Sequence, residues 1–225
     1  MSPLGRLRDA QVKIEWLKKV VPEGDESTYL YSLSVLGDSI AWEGKVRKLL
    51  RGVDRKRFSA PVDKIRLPPL PWTALRAKAL GILGEREREI ESLAAQARNE
   101  ENVEALHRMR LAFKEYRYSV EVLAPLFPGV TAKTLERLHA FQTLLGDLHD
   151  LDVLLEEAEH FRRRVLEVKT ESVLESRIRE IRRREFIRLA PLLSSPSAFS
   201  KRVFGTEFPA SPPGIQKGKR RGRGA

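Results

Sequence analysis

The chain contains no cysteine. Disulfides and thiolate metal sites are therefore excluded, and the absence fits the reducing cytoplasm. No apolar run approaches about 18 residues, so no membrane span is expected. The opening MSPLGRLRDAQ has neither the basic n-region nor the apolar h-region of a secretory signal. There is no glycine-rich phosphate loop of the P-loop type, and no serine stands in a context that supplies a matching base. No segment alternates apolar and polar residues for long enough to make a strand. These absences leave a helical chain without an evident catalytic motif.

What is present is charge, mostly of one sign. Of 225 residues, 42 are Lys or Arg and 31 are Asp or Glu, giving a formal net charge of +11. A balance that basic favours a polyanionic partner: nucleic acid, an anionic membrane surface or another polyphosphate. The hydrophobic fraction, 41%, is enough for a substantial core.

Apolar residues recur at helical spacing through six segments. The first covers 4–20 and stops before VPEGDES. The second, with Asp25 or Ser27 as its cap, runs through TYLYSLSVLGDSIAWEGKVRKLL. SAPVDKIRLPPLP reads as a proline-rich connection. Helices over about 71–98 and 101–125 follow. FPGVT is a turn with Thr131 as the next cap, opening a long helix over about 132–165 and a last one over about 171–193. From residue 199 onward Pro, Gly, Ser and cations replace the periodic apolar residues, so 199–225 is expected to be a basic disordered tail.

The strongest signal is EALHRMRLAFKEYRY, residues 104–118. At 100° per residue, Leu106, Met109, Ala112, Phe113, Tyr116, Val120 and Leu123 form one apolar face. His107, Arg110, Lys114, Arg117 and Tyr118 form a separate arc beside it, with Glu121 as the sole acidic member. Like charges three and four positions apart repel, so such an arc suits an anionic partner. Arginine grips phosphate oxygens in forked pairs, lysine adds a point charge and Tyr118 can donate its hydroxyl. A charge run is ordinarily only a solvated face, and that reading competes here. His149 shares a helical face with Gln142 and Glu156, and Asp152 one turn on is placed to orient its imidazole. Further basic clusters lie in GKVRKLLRGVDRKRF and SRIREIRRREFIRL. From these and the first helix come the second-rank candidates Arg8, Lys45, Lys48, Arg51 and Arg184.

LGRLRDAQVKI at 4–14 echoes LGDLHDLDVLL at 145–155, about 140 residues later, which is far too long a period for a solenoid. The echo suggests two related halves of one helical architecture. Together these pieces resemble the CHAD family, the conserved histidine α-helical domain. His107, Arg110, Leu111, Lys114, Arg117 and Tyr118 match its H-x-x-R-hydrophobic-x-x-K-x-x-R-Y helix. Gln142, Leu145, Gly146, Leu148, Asp150 and Val153 match its Q-x-x-L-G-x-L-x-D-x-x-V helix. The resemblance implies an all-α bundle of two pseudo-symmetric helical halves, with 1–198 as the domain, 1–66 an incomplete first half and 67–198 the second.

It further implies binding of inorganic polyphosphate without catalysis, in the cytoplasm and at polyphosphate granules, with no cofactor. Glu115 stands where the family commonly has arginine, but outside the arc. The opening helices of the first half are missing from the sequence, which leaves Leu4, Leu7, Val12, Ile14, Leu17, Tyr29, Leu33, Leu36, Ile40 and Trp42 without their partners. Self-association through that uncovered surface is the expectation. Two other readings compete. One is a nucleic-acid-binding helical module using the same stripes, although the basic segments offer no aromatic stacking platform and no helix-turn-helix. The other is a metal-dependent phosphohydrolase built on His149–Asp150 with His107, for which His139 and His160 are the only other histidines.

Overall fold

A computed structural model describes residues 2–20, 25–53 and 71–193. Six α-helices account for nearly all of them: α1 (Pro3–Val20), α2 (Glu26–Arg51), α3 (Trp72–Ala97), α4 (Val103–Leu123), α5 (Ala132–Arg164) and α6 (Val173–Leu193). A single 3₁₀ turn, Ala124–Leu126, follows α4, and no strand occurs among the described residues. The all-α expectation holds, with boundaries within about two residues of those read from periodicity. The segment 199–225, expected to be a tail, lies outside the described residues.

Side chains that satisfy orphan amides set the helix starts. Asp25 caps α2 by accepting from the Thr28 amide at 3.2 Å. Asn102 accepts from the Ala105 amide at 3.1 Å to start α4, and Thr131 Oγ1 accepts from the Thr134 amide at 3.3 Å ahead of α5. The turn from α5 to α6 is locked by a buried ion pair. Arg162 Nε donates to Glu175 Oε1 at 2.6 Å, and its Nη1 donates to the Val168 carbonyl at 2.6 Å. Their side chains are only 7% and 1% exposed, so the pair is shielded from water.

The chain forms two compact units, each assembled from separate stretches. One comprises the described residues within 1–68 and 144–191, the other those within 69–143 together with 192–193. Helix α5 thus contributes 132–143 to one unit and 144–164 to the other.

In the first unit, Trp16, Leu17 and Val20 of α1 and Tyr31 and Val35 of α2 close on Leu151, Leu154 and Ala158 of α5 and Leu174 and Ile178 of α6. The Tyr31 ring lies 5.4 Å from that of Phe161, and burial pushes its hydroxyl pKa up. Lys13 pairs with Glu157 at 2.5 Å, so the two echoing segments, 4–14 and 145–155, sit on helices joined by an ion pair.

The expectation that the apolar residues of α1 lack partners is corrected here. Leu17 is buried, and Val12 and Ile14 pack against the same cluster, because 144–191 supplies the opposing surface. Of the apolar residues expected to lie bare, those exposed are Leu4, Tyr29, Leu33, Leu36 and Ile40.

In the second unit, Ala79, Leu83, Ile90 and Leu93 of α3 are buried with Met109, Phe113 and Tyr116 of α4 and Leu138 and Phe141 of α5. Phe113 and Phe141 meet as tilted rings 4.6 Å apart.

Removing one partner of a buried ion pair strands the other charge. Glu175→Ala is therefore expected to lower the unfolding free energy by about 3–5 kcal/mol in urea denaturation. Glu43→Ala breaks only the exposed Glu43–Arg47 pair and should cost no more than about 1 kcal/mol.

Candidate functional site

Helix α4 carries the candidate arc, and its rotation is fixed by what it buries. Leu106, Met109, Phe113, Tyr116 and Val120 are all at most 4% exposed, and they lie on the face read from the sequence. Ala112 and Leu123, placed on that face too, are only half-buried. With that face turned inward, His107, Arg110, Lys114, Arg117 and Tyr118 fall along one flank of the helix at its boundary with solvent. Lys114 and Tyr118 are exposed, and His107, Arg110 and Arg117 are half-buried. Glu115 lies outside the arc and pairs with Arg86 of α3 at 2.5 Å.

The members of the arc differ in how far they are committed. The Arg117 side chain is only 11% exposed. Its Nε donates to Gln142 of α5, its Nη1 pairs with Glu121, and its guanidinium lies 4.3 Å from the Tyr118 ring centroid. A guanidinium with three such neighbours is held in place, and its charge is already partly answered. Arg110 and Lys114 have no ion pair among the described residues. They are the two cations of the arc with their charge available. Gln142, which the sequence offered only as a motif position, holds the Arg117 fork across from α4.

The remaining candidates belong to the other unit. Arg8 on α1 and Lys45, Lys48 and Arg51 on α2 are all exposed. The packing that gathers cations here went unread in the sequence. Lys45 Nζ lies 3.9 Å from the Trp42 ring centroid, and the Arg6 guanidinium reaches the same ring at 5.0 Å. Two cations attracted to one indole stand closer together than they would unaided. Arg6, not singled out in the sequence, joins the cations of this unit by that route. The signal available was a tryptophan three residues before a lysine, on one helix face.

Arg184 pairs with Glu180, which also takes Arg177 at 2.6 Å. The expectation that Asp152 orients His149 is corrected. The Asp152 carboxylate accepts from Arg182 Nε, and burial pushes its pKa up despite that guanidinium. His149 itself is half-buried on α5. Among the described residues no three His, Asp or Glu side chains converge on a point that could hold a metal ion. No described helix is long and apolar enough to cross a membrane.

The family model described as CHAD domain matches residues 1–159. No curated protein and no solved structure matches the chain.

The different commitments of the arc's arginines predict different costs of removal. Arg117→Ala should lower stability by about 1–3 kcal/mol, because Gln142 and Glu121 lose a charge-assisted partner. Arg110→Ala and Lys114→Ala should leave the melting temperature almost unchanged, as read by thermal denaturation monitored by circular dichroism.

Proposed function

The chain belongs to the CHAD family, and from that premise we propose that it binds inorganic polyphosphate through the α4 arc without transforming it. CHAD domains as a class are binding modules for polyphosphate. The observation that carries the reading to these residues is the pair Arg110 and Lys114. They stand one turn apart beside a buried face, with no carboxylate among the described residues to neutralise them. His107 and Tyr118 flank them as hydrogen-bond donors, and Arg117 is held ready by Gln142.

A row of donors rising about 5.4 Å per turn suits an extended chain of phosphates better than one small anion. His149, Arg8, Lys45, Lys48 and Arg51 are proposed as phosphate contacts of the other unit in its own right, with Arg184 contributing least because Glu180 shares it. We take 1–198 as the binding domain and 199–225 as a basic accessory, acting in the cytoplasm at polyphosphate granules. Nucleic acid is the competing polyanion, and no specific observation favours it.

Titration with labelled polyphosphate across a salt series tests the proposal. Each phosphate contact releases condensed counterions, so affinity should fall steeply as salt rises, and long chains should bind more tightly than triphosphate. Arg110→Glu with Lys114→Glu should abolish binding while Arg108→Glu, outside the arc, costs far less. Equal damage from Arg108→Glu would mean that net charge alone is being read.

A further inference from the structure

Helix α2 has two apolar faces, and the unit uses only one. Thr28, Tyr31, Val35 and Val46 point inward, Tyr31 and Val35 at 5% exposure. On the opposite side Tyr29, Leu33, Leu36 and Ile40 are 64%, 46%, 46% and 65% exposed, with Leu30 beside them at 39%. The four are spaced 4, 3 and 4 residues apart, which is the seam of a two-helix coiled coil. Next to that seam, one heptad apart, stand Gly37 and Gly44. A side chain added at either would meet nothing within 4 Å. Glycine inside a helix is the least favourable residue after proline, and nothing in the unit's own packing calls for it at these two positions.

We propose that this face is the interface of a homodimer, in which α2 pairs antiparallel with α2 of a second copy across a twofold axis. Three observations select that occupant and that direction. The first is area. About half of each of five large side chains is in water, on the order of 500 Å² per copy, so two copies together bury roughly the 1,000 Å² that a specific interface needs.

The second is charge. The helix is acidic in its first turn, at Glu26, and basic in its last, at Lys48 and Arg51. Antiparallel pairing sets the acidic end against the basic end, whereas parallel pairing sets two cations against two. The third is shape. With the axis between positions 36 and 37, Leu33 faces Ile40, Leu36 faces Gly37, and Tyr29 faces Gly44. Each copy's largest side chain then lies over the other's glycine, and the contact is self-complementary, as a twofold requires.

Sedimentation velocity of the full chain at micromolar concentration, combined with a cysteine scan, tests this. The native chain has no cysteine, so introduced thiols report alone. The wild type should sediment as a dimer. Leu33→Asp with Ile40→Asp should shift it to monomer with an unchanged helical circular dichroism spectrum. Ile187→Asp, at an equally exposed apolar position on α6, should leave the dimer intact. Under mild oxidation Leu36→Cys, beside the axis, should cross-link, and Tyr29→Cys should not. A wild type that stays monomeric, a dimer that survives Leu33→Asp with Ile40→Asp, or cross-linking of Tyr29→Cys in preference to Leu36→Cys would each overturn the proposal.

Discussion

The burial of Met109, Phe113, Tyr116 and Val120 is the constraint on which the functional reading depends. An α-helix is a rigid screw, so fixing the azimuth of one stripe fixes every other. Once those four side chains are sealed inward, with Phe113 against Phe141 of α5, the arc from His107 to Tyr118 has nowhere to turn but the boundary with water. The cations are not placed by contacts of their own. Arg110 and Lys114 inherit their positions from apolar neighbours three and four residues away, which is why they can be well positioned without an ion pair among the described residues. Preorganisation of this kind lowers the ordering cost of binding an anion.

Arg117 is the exception that clarifies the arrangement. Half-buried and gripped by Gln142 and Glu121, it ties α4 to α5 and carries less free charge than its sequence neighbours. It serves first as a brace, and any phosphate it meets must compete with a carboxylate already in place. Trp42 acts in the same way in the other unit, where an aromatic ring holds Arg6 and Lys45 together without neutralising them. An anion-binding surface needs such means of crowding like charges, because carboxylate partners would cancel the field that attracts the ligand.

Helix existence, helix ends and the azimuth of α4 were legible in the sequence, because each depends on local periodicity and on capping residues such as Asp25 and Thr131. What was not legible depends on partners distant in the chain. Periodicity names a buried face without saying what covers it. The stretch 144–191 therefore could not be seen to pack with α1 and α2, and Val12, Ile14 and Leu17 of α1 were wrongly expected to lie bare. The same gap hid the Asp152–Arg182 pair, which redirects a carboxylate assigned to His149. The two faces of α2 were visible only in part. Its outer stripe stands out in the sequence, but its inner face reads as ordinary spacing until Tyr31 and Val35 are seen sealed.

The central claim is that an ordered row of donors on α4 selects a flexible phosphate chain over other polyanions. The most direct measurement is competition at fixed salt, with labelled long-chain polyphosphate displaced by unlabelled polyphosphate, DNA or RNA at equal phosphate concentration. The account predicts displacement by polyphosphate at concentrations well below those required of either nucleic acid. Displacement by DNA or RNA at the same phosphate concentration would contradict it.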